Sequence, residues 1–360
     1  MASPEALPQQ IRRVIDANLN RAREGLRVLE DLSRLVLNDA ILSQRLKTMR
    51  HELLRGEPAL DRELITARNS EGDVGANTVV PGQEKEKELP LVVMANASRV
   101  QESLRTLEEI SKTPGTASQL APERFRKARF DLYTIQRELL SKLTRQDKAK
   151  HLRGLHAIID TQALKGRSHV EAARQVIRGG AKAVQLRDKL SSKRDLLPIA
   201  RQLKALCAEH EVLFIINDYL DLALAADADG LHLGQEDLPV EVARRLLPID
   251  KIVGCSVTTA EQATAAEASG ADYIAVGSMY PTPSKEKAVI VGLERLREIR
   301  QTLGLPLVAI GGITRDNAAA VIAAGADSVA VISAVLGAKS PEEATRQIVV
   351  RIETEHGETD

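Results

Sequence analysis

The chain has 360 residues, 43% of them hydrophobic, enough for two domains with buried cores; this excludes a disordered tail and a disulfide-stapled miniature. Fifty basic side chains balance fifty acidic ones, Trp is absent and aromatics make up 2%. The charge excess of a general nucleic-acid binder and the stacking platforms of a single-strand binder are therefore both missing. Cys207 and Cys255 stand in no metal-type spacing and no apolar run nears the ~20 residues of a membrane span. With no secretory pattern at Met-Ala-Ser-Pro-Glu, a reduced cytoplasm is the expected location.

Residues 10–145 read as helix after helix, whereas short β-branched runs alternate with helical stretches from Gly154 onward. This predicts an all-α domain over 1–150 and an α/β domain over 151–360, with 142–153 as linker or last helical turns. Charge divides only mildly, 26 basic against 22 acidic residues up to Lys150 and 24 against 28 beyond it.

The helical half is internally duplicated. ANLNRAREGLRVLEDLSR (17–34) and ANASRVQESLRTLEEISK (95–112) share nine of eighteen positions, against about one by chance. A second pair, LKTMRHEL (46–53) and FRKARFDL (125–132), makes the repeat a two-helix unit. Ile15, Leu19, Ala22, Leu26, Leu29 and Val36 recur at spacings of 3, 4 and 7, one apolar stripe per helix. Two such hairpins bury their stripes against each other, which predicts a pseudo-symmetric four-helix bundle. Asn18 and Glu30, and equally Asn96 and Glu108, flank the stripes; they line a pocket between the repeats or form interhelical hydrogen bonds that fix register. The segment 69–82, rich in Gly and small polar residues, is a solvated connection or a loop whose backbone N–H groups face an anion.

Eight short apolar runs follow in the second half, at 155–160, 183–187, 213–217, 230–233, 252–256, 273–277, 307–310 and 328–333, each trailed by a helical stretch. Gly-Gly-Ala, Gly-Ala-Asp and Gly-Ala-Asp at 179–181, 270–272 and 325–327 end helices. The prediction is a (β/α)8 TIM barrel, since no Gly-x-Gly-x-x-Gly follows the first strand to support a doubly wound sheet. Barrel chemistry belongs at strand carboxyl ends. There stand Gln185, Arg187 and Lys189; Asn217 and Asp218; His232 and Asp237; Ser256; Thr282-Pro283-Ser284-Lys285; Gly311-Gly312; and Ile332-Ser333. Two carboxylates among cations suit Mg²⁺, which takes one or two protein carboxylates and fills its shell with water and phosphate oxygens. Arg187, Lys189 and Lys285 would carry the remaining charge of a pyrophosphate. Gly311-Gly312 before a helix begun by Thr314 offers backbone N–H groups to a second phosphate. His232 is equally a packed residue or a reactive one.

Residues 154–350 closely resemble the thiamine-phosphate synthase family through QLRDK (185–189), INDYLDLA (216–223), DGLHLGQEDLP (229–239), GCS (254–256), TPSK (282–285), AIGGI (309–313) and VAVISA (329–334). The resemblance implies a transferase in thiamine biosynthesis that joins hydroxymethylpyrimidine pyrophosphate to hydroxyethylthiazole phosphate and releases pyrophosphate. It implies that Gln185, Leu186, Arg187, Asp188, Lys189, Asn217, Ser256 and Lys285 hold the pyrimidine substrate, with Lys285, Arg187 and Ser256 catalytic. Asp218 and Asp237 are the implied Mg²⁺ ligands, and Thr282, Pro283, Ser284, Gly312, Ile332 and Ser333 the implied thiazole phosphate site. The family more often has Thr where this chain has Ser284; the hydroxyl is retained. The loop 279–287, with two prolines and a lysine, is expected to close over the pyrophosphate.

The helical half resembles an alternative hydroxymethylpyrimidine phosphate kinase-type domain found fused to this synthase, although no Walker-type loop is present. The competing readings are a barrel that only tautomerises a thiazole phosphate and a helical half serving dimerisation or regulation. The expected partners are small-molecule substrates, with no nucleic acid and no membrane; the oligomeric state is open, a homo-oligomer included.

Overall fold

The structure, a computed structural model, describes residues 7–53, 58–68, 88–113, 116, 120–282 and 289–359. The chain divides into two units, Met1–Thr144 and Arg145–Asp360. The division falls inside a helix, within the stretch 142–153 read as linker or last helical turns, for a physical reason. Arg145 reaches Asp272 at 2.7 Å and Lys148 reaches Asp250 at 3.1 Å, so the end of that helix is tied to the barrel's own acids.

The first unit contains α1 (Gln9–Asp31), α2 (Ala40–Leu53), α3 (Pro58–Thr66), α4 (Leu89–Ile110) and the start of α5 (Pro122–Lys150). Its core is the expected set of stripes, with Ile15, Ala22, Leu26 and Leu29 of α1 meeting Val93, Val100, Leu104 and Leu107 of α4. α1 approaches α4 closely at Gly25, where a Cβ would lie 2.5 Å from Val100 Cγ2. Two expectations need correction. Val36 leaves the stripe and is 37% exposed, because Leu32–Val36 forms a π-helical turn whose extra residue per turn rotates the face away. Among the described residues Asn18 and Asn96 make no bond between helices; each amide donates back along its own helix, to Val14 O and Val92 O, both at 2.8 Å. The glutamates do cross. Arg50 Nε donates to Glu30 at 2.9 Å from α2 to α1, and Arg129 donates to Glu108 at 2.9 Å from α5 to α4. The duplication thus extends to one buried ion pair per repeat. Segment 69–82 lies outside the described residues.

The second unit is a closed parallel barrel in the order β1 to β8. The strands are β1 (Gly154–Asp160), β2 (Ala183–Arg187), β3 (Leu213–Asn217), β4 (Gly230–Leu233), β5 (Ile252–Val257), β6 (Tyr273–Gly277), β7 (Leu307–Ile310) and β8 (Ser328–Val331). Strand alternation divides the apolar residues between two layers. Ile159, Leu186, Phe214, Ile216 and Val253 join the core shared with the helices, while Ile158, Ile215, Ile252, Tyr273 and Val308 fill the barrel interior. Register is pinned three times by one device. Asp229, Asp272 and Asp327, each just before an even-numbered strand, accept the backbone N–H of Phe214 at 3.0 Å, Val253 at 2.8 Å and Leu307 at 2.8 Å on the strand before. Burying an acceptor against that amide ties each strand pair at one residue offset, and a slip would orphan both groups.

Candidate active site

The carboxyl ends of the strands open on a cavity of about 770 Å³. Because side chains i and i+2 share a face, β2 sends Gln185 and Arg187 inward, and Lys189 follows them to the cavity wall. Leu186 and Asp188, expected among the substrate-binding residues, do not line the cavity. Leu186 points into the outer core. Asp188 is buried in its own turn, where its carboxylate accepts from the N–H of Leu190 at 2.7 Å, the N–H of Ser191 at 2.8 Å and the hydroxyl of Thr161. Those bonds to the charged form hold its pKa below the usual carboxylate value although burial opposes them.

Arg187 has a partner that the sequence did not single out. Its guanidinium pairs with Asp160, its neighbour across the β1–β2 register, and Asp160 also caps the short helix α6 (Thr161–Leu164) by accepting from Ala163 N at 3.0 Å. The signal that could have found it is an acidic residue ending the strand beside the arginine.

Asn217, Asp218 and Asp237 share the adjoining wall. Asp218 takes a left-handed φ of +64° and donates its N–H to His232 O at 2.8 Å, which turns its side chain toward Asp237. Burial and then the nearby Asp237 carboxylate raise the pKa of Asp218, and Lys189, 3.3 Å from it, opposes them. Asp237 is oriented by the N–H of Gly234 at 2.7 Å. Two facing carboxylates with one ammonium favour an added cation, and a pair of oxygen donors beside Arg187 and Lys189 fits Mg²⁺. Among the described residues no group of three or more His, Cys, Asp or Glu side chains forms a fuller metal cage.

The opposite wall is built from Gly311, Gly312, Ile332, Ser333 and Thr282. Here backbone replaces side chain: a Cβ on Gly311 would lie 2.0 Å from Ser278 Oγ, and one on Gly312 would lie 2.5 Å from Pro281 O. The N–H groups of Met279 and Tyr280 bond Ile310 O at 2.9 Å and Gly311 O at 3.0 Å, seating the β6 loop on this turn. The helix after β7 starts at Ala318 rather than at Thr314, because Asn317 accepts from Thr314 N at 2.8 Å and donates to Gly312 O at 3.1 Å. Pro283, Ser284 and Lys285, and with them the closing part of loop 279–287, lie outside the described residues.

Ser256 completes the lining at the base, where its hydroxyl lies 2.8 Å from His232 Nε2. His156 and His232 are both buried, and burial lowers each to about 4, so neither carries charge near neutrality. No helix among the described residues is long and apolar enough to cross a membrane.

A closed eight-stranded parallel barrel with its polar side chains gathered in a carboxyl-end cavity defines the class, a (β/α)8-barrel enzyme. Residues 155–335 match the thiamine monophosphate synthase family and residues 13–138 match the ThiD2 family. A thiamine-phosphate synthase of Thermosynechococcus vestitus is 40% identical over 351 residues, 97% of each chain, and one of Nostoc punctiforme is 37% identical over 350 residues, 97% of this chain and 96% of that one. The solved thiamine phosphate pyrophosphorylase from Pyrococcus furiosus is 42% identical with a TM-score of 0.54, covering 57% of this chain and 98% of that one. The chain belongs to the thiamine-phosphate synthase family.

Proposed function

We propose that the barrel condenses hydroxymethylpyrimidine pyrophosphate with hydroxyethylthiazole phosphate to give thiamine phosphate and pyrophosphate. The observation that carries this reading is one cavity with two unlike walls. Arg187 and Lys189 stand beside the Asp218–Asp237 pair on one side, and the Gly311–Gly312 and Ile332–Ser333 backbone stands on the other. The first suits a diphosphate leaving group, the second a phosphate monoester.

In this mechanism the bond between the pyrimidine methylene carbon and the diphosphate oxygen breaks, its electron pair leaving with the diphosphate. The aminopyrimidine ring stabilises the resulting cation, and the thiazole nitrogen lone pair forms the new C–N bond. No protein nucleophile is required. Arg187, Lys189 and Lys285 bind the departing charge, with Gln185, Asn217 and Ser256 positioning the pyrimidine half. Thr282, Ser284, Gly312, Ile332 and Ser333 hold the thiazole phosphate. Mg²⁺, when bound by Asp218 and Asp237, supplies charge neutralisation on the diphosphate. A thiazole tautomerase would have no use for the cation and carboxylate wall, which favours the transferase. A cytoplasmic location and small-molecule partners belong to the same reading.

The test is to mix both substrates with Mg²⁺ and follow thiamine phosphate and pyrophosphate together; absence of either product in equal amount overturns the reading. Lys285→Ala is expected to cripple turnover, and near-normal activity would remove that residue from the mechanism. For the helical unit, a kinase-type activity predicts product from the pyrimidine monophosphate plus ATP, whereas a dimerisation or regulatory role predicts none.

A further inference from the structure

Three side chains from neighbouring strands form a polar column at the base of the cavity. Tyr273 of β6 is 1% exposed, and its ring occupies the interior volume that Gly254 of β5 leaves open: a Cβ on Gly254 would lie 2.0 Å from the ring's Cζ. The phenol oxygen lies 3.0 Å from His232 Nδ1, and His232 Nε2 lies 2.8 Å from Ser256 Oγ. The two rings stack with centroids 5.6 Å apart, which fixes the imidazole plane.

A neutral imidazole has one N–H and one bare nitrogen, so its two hydrogen bonds cannot be assigned independently. Burial keeps the phenol of Tyr273 protonated. Among the described residues that hydroxyl has no hydrogen-bond partner except His232 Nδ1. Were Nδ1 the protonated nitrogen, the phenol would accept there and its own buried proton would have no acceptor, the costlier of the two ways to leave a group unpaired. The bare nitrogen therefore faces the phenol. The proton then sits on Nε2, and Ser256 Oγ must accept from it.

We propose that Tyr273 fixes His232 as the Nε2–H tautomer, and that His232 thereby commits Ser256 to donate its own hydroxyl proton into the cavity. Tyr273 and His232 are positioning residues; Ser256 is the group that touches substrate. The tautomer assignment stands on the hydrogen-bond geometry of two buried, uncharged rings. Its consequence rests on the synthase reading: Ser256 O–H meets an oxygen of the departing diphosphate, where a donor gains strength as charge develops.

The assignment is tested by long-range ¹H–¹⁵N correlation on the full chain labelled at histidine nitrogens, without substrates, near neutral pH. The chain has seven histidines, so the His232 signals are assigned as those lost in His232→Gln and perturbed in Ser256→Ala. A proton on Nε2 in the wild type is expected. A proton on Nδ1, or exchange between tautomers, overturns the proposal, and this measurement needs no destabilised variant. Tyr273→Phe, which removes the phenol hydroxyl, takes away the donor to the bare Nδ1 while Nε2–H keeps Ser256, so the Nδ1 ¹⁵N resonance is expected to move downfield; an unchanged Nδ1 shift in that variant also overturns it. In turnover, Tyr273→Phe should lower kcat roughly three- to tenfold with KM little changed, the scale of one net hydrogen bond. If the wild type makes no thiamine phosphate, the synthase reading fails while the tautomer result still decides the relay.

Discussion

Removing Asp160 should separate two effects that one carboxylate now combines. Its side chain is 7% exposed and that of Arg187 is 25% exposed, so Asp160→Ala leaves a largely shielded guanidinium without its partner. Breaking a fully buried pair costs ~3–5 kcal/mol; because Arg187 borders a wet cavity we take about 2 kcal/mol here. Losing the acceptor for Ala163 N adds about 1 kcal/mol. A loss of about 3 kcal/mol lowers the barrel's Tm by roughly 6–12 °C at 2–4 °C per kcal/mol. Asp160→Asn retains the cap and nearly the same volume, so it should recover the cap share and leave only the charge loss. On the diphosphate side two consequences oppose each other: a missing acidic charge strengthens attraction for the anion, and a loosened Arg187 binds it less well. Affinity for Mg²⁺-diphosphate, read by calorimetry, should change by less than about threefold. kcat, which depends on geometry at the moment of bond cleavage, should fall about tenfold. If Asp160→Asn matches the wild type in both Tm and kcat, Asp160 does not position Arg187.

Gly254→Ala should destabilise the barrel by about 3 kcal/mol, the upper part of the overpacking range, because the added methyl coincides with a ring that has no exposed side to move toward; a denaturation midpoint within error of the wild type would contradict the packing described. His156 and His232 predict acid sensitivity with a definite sign. Both have pKa values lowered from 6.5 to about 4, so below pH 6.5 the unfolded chain binds protons that the folded chain refuses. Their contribution is fully present above pH 6.5 and is lost as pH falls toward 4, about 3 kcal/mol for each histidine, and His156→Gln should reduce the slope of stability against pH in that window. In the helical unit, Glu30→Gln and Glu108→Gln should each cost about 2–3 kcal/mol, because Arg50 and Arg129 are left as largely buried cations; costs below 0.5 kcal/mol would mean that the pairs are solvated.

The strands were legible because they consist of residues whose apolar character does not depend on partners, and three of them follow the glycine turns at 179–181, 270–272 and 325–327. Arg187, Asp218 and Asp237 were legible for a related reason: charge at a strand's carboxyl end cannot be buried in the core, so it faces the cavity. Leu186 and Asp188 show where a motif and the cavity lining part company. A continuous motif selects five consecutive residues, but alternation lets only every second one face inward, and the alternation was readable in the same five letters. Asp160 and Tyr273 were hidden for a different reason. Asp160 acts through a register between strands, and Tyr273 through a glycine on the strand beside it, so neither role exists until the barrel closes. The π-helical turn at Leu32–Val36 was hidden as well, since apolar spacing reports the face a helix would bury if its pitch were constant. Polar residues in the bundle follow the same division. Glu30 and Glu108 recur because each must meet an arginine on the next helix, a demand two copies share. Asn18 and Asn96 satisfy themselves within one turn of their own helix. Repetition in the sequence therefore marks both kinds of residue alike, and only the position of the partner separates a contact that assembles the bundle from one that does not.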